Sequence, residues 1–150
     1  MAKTDISEET RPKPLKEIIE NLSREIPKRL LKTKPAGGGG NQKLTFIEWH
    51  TAVKFLDLYA PGWCYDVSVA GILPAPERLP NDKKSHRGKV IIKATISIPT
   101  ADHGVVSRSS LGIEDDVVTG YGDPSSNAES MALRRAASKF GLGLYLYEKG

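Results

Sequence analysis

The chain has 150 residues, of which 39% are hydrophobic and 27% are charged, a composition typical of one globular domain. It contains no apolar run near the ~20 residues of a membrane span. The N-terminus carries acidic residues and lacks the apolar core of a signal peptide. Because Cys64 is the single cysteine, an internal disulfide is excluded, which fits a reducing compartment. The side chain of Cys64 is expected to be buried in the fold.

The formal net charge of +4 is modest, but the charges are segregated. Basic residues concentrate in residues 24–43 and 78–93, whereas acidic residues concentrate in residues 102–123. Segregation of this kind is typical of a basic surface that binds a polyanion, bordered by an acidic rim. It excludes neither a nucleic-acid-binding protein nor a structural oligomer with a charged surface.

Apolar periodicity and turn residues predict an α+β fold in a single domain over residues 15–150, after a disordered lead-in over residues 1–14. Three contiguous strands favour an antiparallel β-meander with packed helices, a β-β-β-α core. The predicted elements are, in order, a helix over 15–22, a basic turn over 29–34, a loop over 36–41, a strand over 43–47, a helix over 48–59, strands over 63–73, 89–99 and 105–113, a helix ending before Gly141, and a short strand over 142–147.

The last helix has two possible starts. Asp123 followed by Pro124 is a typical N-cap with proline at the first helical position, and Ser126 with Glu129 is a typical capping box. Alanines at i, i+4 spacing predict one apolar face for packing, with the basic residues mostly off that face. The apolar positions are Ala128, Ala132, Ala136 and Phe140, and the others are Arg134, Arg135, Ser138 and Lys139.

Four consecutive glycines, residues 37–40, predict a loop. A flexible linker and a phosphate-contacting loop both fit this composition. No Gly-Lys-Ser/Thr follows, so the segment is not a Walker nucleotide-binding loop.

The sequence contains no recognisable catalytic or metal-binding motif. His50, His86 and His103 have no partners at metal-ligand spacing. The acidic run of residues 114–116 is compatible with a hard cation, but a solvated acidic rim is the more common reading. We therefore predict a protein that is not an enzyme and that needs no cofactor or metal.

Four segments in order resemble one family. They are residues 36–50, residues 59–63 (Tyr-Ala-Pro-Gly-Trp), residues 120–122 (Gly-Tyr-Gly) and the helix with the string Leu-Arg-Arg-Ala-Ala-Ser-Lys-Phe-Gly. Together they resemble the Rad52 family of single-strand annealing proteins. The ending, residues 140–147, is most similar to the bacterial and phage DdrA-like branch.

The resemblance implies a ring of identical subunits that binds single-stranded DNA in a basic groove. It implies annealing of complementary strands without ATP in recombinational DNA repair. A single-strand binding protein or a recombinase is an expected partner, and a cytoplasmic, nucleoid-associated location is expected. Two alternatives stay open, namely a general RNA- or DNA-binding or end-protection module, and a structural oligomer.

The resemblance also suggests DNA-binding residues. The paired basic residues of the family's last helix match Arg134 and Arg135, while family basic residues fall here on Ser138 and on His50 or Thr51. Neighbouring lysines are expected to substitute for them. The predicted DNA-binding set is therefore Arg134, Arg135, Lys139, Lys43, Lys54, Lys89, Lys93 and His50.

Overall fold

The computed structural model describes residues 10–35, 43–74, 88–115 and 124–148. Within them lie four α-helices, one 3-10 turn (Lys28–Leu30) and five strands, which follow the predicted α+β pattern. The helices are α1 (Leu15–Leu22), α2 (Trp49–Tyr59), α3 (Pro124–Ser138) and α4 (Leu144–Glu148); the strands are β1 (Leu31–Pro35), β2 (Lys43–Ile47), β3 (Cys64–Leu73), β4 (Lys89–Pro99) and β5 (Val105–Asp115). None of these helices is long and apolar enough to cross a membrane.

The three long strands form the predicted meander, in the order β3-β4-β5, with both pairs antiparallel. Side chains alternate between the two faces of a strand. In β4 the even-numbered residues point to the core, and Ala94, Ile96 and Ile98 are fully buried. The alternation read from the sequence of this strand is confirmed.

Helix α3 packs against the core face of β4 and β5. Its predicted apolar positions, Ala128, Ala132, Ala136 and Phe140, are all fully buried. The helix comes so close to β5 that a Cβ added to Gly112 would lie 2.7 Å from the backbone nitrogen of Ala132, and closer still to a backbone oxygen of α3. Small residues on both elements therefore fix the depth at which α3 sits.

The predicted end of α3 is also confirmed. Gly141 has a φ of +107°, and its N–H donates to the Ser138 carbonyl, while the Leu142 N–H donates to the Ala137 carbonyl at 3.3 Å. This pair of hydrogen bonds is the Schellman arrangement, in which glycine takes the left-handed position. Ser138, however, was expected off the apolar face, and it is buried with its hydroxyl bonded to the Arg135 carbonyl.

Two local predictions are wrong. Residues 29–34 were expected to form a basic turn, but Leu31–Pro35 is strand β1, which pairs antiparallel with β2 in a second, two-stranded sheet. Residues 142–147 were expected to form a strand, but Leu144–Glu148 is helix α4. The glycines at 141 and 143, both at positive φ, turn the chain before α4, whose residues line a cleft together with residues of β1 and β2.

Strand β3 is largely exposed. It is an outer strand of the meander, and nearly all of its residues are exposed. Cys64, which was predicted to be buried, is a free and exposed cysteine on this strand. Helix α3 covers β4 and β5 but extends little over β3, which explains the exposure.

The glycine-rich loop, the 120–122 segment, His86 and the side chains of both proposed α3 caps lie outside the described residues. The last residues of the expected lead-in are bonded to the fold: Lys13 forms an isolated bridge with Thr100, and its carbonyl accepts from the Ala101 N–H. The start of the domain at residue 15 stays a prediction.

The start of α1 is held by a carboxylate from the turn between β4 and β5. The Leu15 N–H donates to Asp102 Oδ1 at 3.0 Å, and His103 Nδ1 lies 3.0 Å from the same oxygen. The hydrogen bond from Leu15, and then that from His103, lower the pKa of Asp102. The carboxylate accepts in its charged form, which the N-terminus of a helix favours.

Replacing Asp102 by alanine should destabilise the fold in a pH-dependent way. A carboxyl group whose pKa is lowered by folding stabilises the protein above its ordinary pKa, and this contribution is lost as the pH falls through the folded-state value. We expect the difference in melting temperature between wild type and D102A to be full near neutral pH and to shrink below about pH 4. An Asp66→Ala variant on β3 is the control, and an equal pH dependence in both variants would contradict the assignment.

Candidate nucleic-acid interface

An open cleft of about 870 Å³ lies between the β1–β2 hairpin on one side and α3 with α4 on the other. Its described lining carries five cationic side chains and a single acidic one. We call it the basic cleft, and its charged lining residues are Lys28, Lys34, Lys43, Arg134, Arg135 and Glu25. Cations from four separate parts of the chain thus converge on one surface, which favours an anionic ligand.

Arg134 is held in place before any ligand arrives. Its Nε donates to the Ser130 carbonyl and its Nη1 to the Ile47 carbonyl, both at 3.2 Å. Its guanidinium lies over the Phe46 ring, with Cζ 4.9 Å from the ring centroid. Burial lowers the pKa of Arg134, Tyr147 opposes this shift, and the neighbouring Arg135 adds a smaller lowering. A guanidinium nevertheless stays charged at any physiological pH. The two hydrogen bonds use two of the five N–H donors of the guanidinium.

Lys34 is a cleft residue that the sequence analysis did not select. It lies on β1, and its Nζ is 5.2 Å from the centroid of the same Phe46 ring. Its pKa is lowered by burial first and then by Arg134, while Glu114 opposes the shift. The described structure therefore brings Lys34 close to Arg134 and Arg135. An anion bound there would neutralise these three positive charges.

Arg135 and Lys139 reach over the outer strand β5. Arg135 Nη1 donates to the Leu111 carbonyl at 3.0 Å, and Lys139 Nζ donates to the Ser109 carbonyl. Arg135 also lines the basic cleft, whereas Lys139 is outside its lining. Arg135 lies in the last turn of α3 and Lys139 directly follows the helix. Both side chains hydrogen-bond carbonyl groups of β5, which borders no further strand in the meander.

Lys89 and Lys93 lie on the other side of the sheet. They are odd-numbered residues of β4, and the even-numbered ones face α3. Lys89 also pairs with Asp115 on β5. The predicted set is thus divided: Lys43, Arg134 and Arg135 share the basic cleft, and Lys89 and Lys93 do not reach it.

The two predicted residues of α2 also lie outside the lining of the cleft. His50 Nε2 contacts the Glu48 carboxylate, which also lies 3.8 Å from Lys32 Nζ. Lys54 is exposed one turn further along the helix. Thr51, where the family pattern suggests a basic residue, is buried. Lys54 and His50 stay predictions as DNA contacts.

The described part of the chain contains no candidate metal site. No group of three or more histidine, cysteine, aspartate or glutamate side chains is arranged there to hold a metal ion. The lining of the basic cleft offers cationic side chains and aromatic rings.

Comparison with known proteins agrees with the geometry. The chain is similar to DNA repair RAD52-like protein 2, chloroplastic, of Arabidopsis thaliana, at 32% identity over 137 residues, which cover 91% of this chain and 62% of that relative. It is also similar to DNA repair RAD52-like protein 1, mitochondrial, of Arabidopsis thaliana, at 29% identity over 137 residues, which cover 91% of this chain and 69% of that relative. The chain thus spans less than two thirds of the first relative's length. The model of the Rad52/22 family of double-strand break repair proteins matches residues 14–150, and the chain belongs to that family.

Proposed function

We propose that this chain binds single-stranded DNA in the basic cleft and anneals complementary strands without ATP, in recombinational DNA repair. The observation that carries the proposal is the convergence of Lys34, Lys43, Arg134 and Arg135 on one cleft whose described lining holds a single acid. Membership of a double-strand break repair family supports the same conclusion.

The chemistry of the cleft suits annealing. Lysine and arginine neutralise phosphates without reading the bases, so binding is independent of sequence and falls with salt. Strands held by their phosphates keep the hydrogen-bonding edges of their bases available for a complementary strand. Annealing needs no covalent step, and positioning and charge neutralisation are all that the protein has to supply.

We further propose that the chain works as a homo-oligomeric ring. Support comes from β3, an outer strand with a row of exposed side chains on its helix-side face, of which Val69 is 63% and Ile72 is 69% exposed. An exposed apolar outer strand is a ready surface for association. A further copy of the chain that covers this row would remove it from water.

Three narrower assignments stay predictions. The DdrA-like branch is one of them, because both of these relatives are plant proteins. The nucleoid-associated cytoplasmic location is another, because those relatives are named chloroplastic and mitochondrial. A single-strand binding protein or a recombinase as partner is the third, and co-purification with each of them would test it.

Annealing of two complementary labelled oligonucleotides, without ATP and at low and moderate salt, tests the main proposal. We expect the protein to accelerate pairing, and to prefer single-stranded DNA over duplex DNA and RNA of the same length in competition. Binding without faster pairing would point to a binding or protection module. If single strands neither bind nor pair faster, the proposed function is wrong.

A further inference from the structure

The Phe46 side chain is the common contact of two cations in the basic cleft. Lys34 Nζ lies 5.2 Å and Arg134 Cζ 4.9 Å from the centroid of its ring. The cations come from elements far apart in sequence, β1 and α3, and both lie over the ring of Phe46 on β2. Its ring is only partly buried, so it is part of the lining of the cleft rather than of the core.

Holding these cations together has an electrostatic cost. Lys34 and Arg134 carry like charges, and the arginine contributes to the lowered pKa of the lysine. Glu114 raises the pKa of Lys34, but its effect is smaller than the lowering by Arg134. The negative face of an aromatic ring attracts both cations, and each such contact contributes more where water is partly excluded. The ring therefore offsets part of the repulsion.

We propose that Phe46 positions Lys34 and Arg134 for the DNA phosphates and does not itself stack on bases. The proposal rests on the function proposed above. It explains why binding in the basic cleft would not depend on the identity of the bases. A partly buried aromatic residue that lines a cleft of this kind would ordinarily be assigned to base stacking. Here the π surface is already engaged by two cations, and a stacked base would have to displace them.

Two substitutions separate the roles. Phe46→Leu keeps an apolar side chain but removes the ring, and Phe46→Tyr keeps the ring. Affinity is measured by fluorescence anisotropy for a labelled oligothymidylate and for an abasic deoxyribose-phosphate strand of the same length. We expect F46L to bind both strands roughly tenfold more weakly, since two cation–π contacts are lost. We expect F46Y to bind both like wild type.

A loss in F46L that is confined to the base-bearing strand would overturn the proposal, because it would show that the ring stacks on bases. Equal binding by F46L and wild type would overturn it as well. If wild type itself binds neither strand, the proposed function fails first, which is a separate result.

A double-mutant cycle separates positioning from a general loss of structure. If Phe46 acts through Lys34, then Lys34→Ala should weaken binding clearly in the wild type and much less in F46L. If F46L merely loosens the fold, Lys34→Ala should cost the same factor in both backgrounds, and the proposal is wrong. Melting temperatures of all four proteins accompany the cycle.

Discussion

Replacing Arg134 and Arg135 together by alanine should lower the affinity for single-stranded DNA by on the order of 100-fold at low salt. Both side chains line the basic cleft, and both are fixed by hydrogen bonds to backbone carbonyls, of Ile47 and Leu111. A guanidinium held in this way loses little side-chain entropy when a phosphate binds. Titration of a labelled oligonucleotide by anisotropy, over a series of salt concentrations, measures the effect.

The salt series makes the prediction specific. Each cation that neutralises a phosphate of a single strand contributes about 0.7 to the slope of log affinity against log salt. Loss of two contacts should therefore lower the slope by about 1.4. The control is the double variant Arg11→Ala with Lys16→Ala, which removes the same charge from exposed positions outside the cleft. An equal fall in slope for that control would show that only net charge matters.

Replacing Gly112 by alanine should destabilise the domain by about 3 kcal/mol or more, at the upper end of the cost of overpacking. The added methyl group would collide with the backbone of α3, and backbone cannot turn aside as a side chain can. Helix α3 would have to move away from β5 along its whole alanine face. For a chain of this size we expect the melting temperature to fall by roughly 10 °C in a thermal scan followed by circular dichroism.

Gly71→Ala is the matched control. Gly71 lies in β3, and a Cβ there would lie 3.8 Å from Ile91 Cδ1, an ordinary van der Waals contact. We expect G71A to change the free energy of unfolding by less than about 1 kcal/mol in either direction. Equal losses of unfolding free energy in G112A and G71A would contradict the prediction. They would mean that these glycines matter for their backbone conformation and not for the close packing of α3 on β5.

Patterns that repeat within one element predicted most of the fold. The alternation of β4 and the alanine spacing of α3 each report a buried face, and both faces are buried as expected. The glycine at 141 marks the end of α3 because a left-handed residue is needed there. These signals are local, so one sequence is enough to read them.

The two wrong elements depend on distant contacts. Strand β1 forms because Leu31–Pro35 pairs with Lys43–Ile47, and the pairing is not visible in a five-residue basic stretch. The Leu-Tyr alternation of residues 142–147 fits a strand as well as one helical turn. Helix α4 is chosen because Tyr145 and Leu146 pack against the core.

The candidate site was only partly predicted, because it too depends on contacts between distant segments. Arg134 and Arg135 stand out as a pair, but Lys34 enters the cleft only through the hairpin. The alternation of β4 could have shown that Lys93 points away from the cleft. The buried residues of β4 have even numbers and face α3, so an odd-numbered lysine must point to the opposite face of the sheet. Counting basic residues along the chain gives no such direction.

The exposure of Cys64 has a practical consequence. It is the only cysteine of the sequence, and it lies at the start of the outer strand β3. A maleimide dye would therefore attach at one known position of the unmodified protein. Its emission would report, without any substitution, whether that end of the strand becomes covered when protein concentration rises or DNA is added. One natural thiol thus serves as a built-in spectroscopic marker for the assembly proposed above.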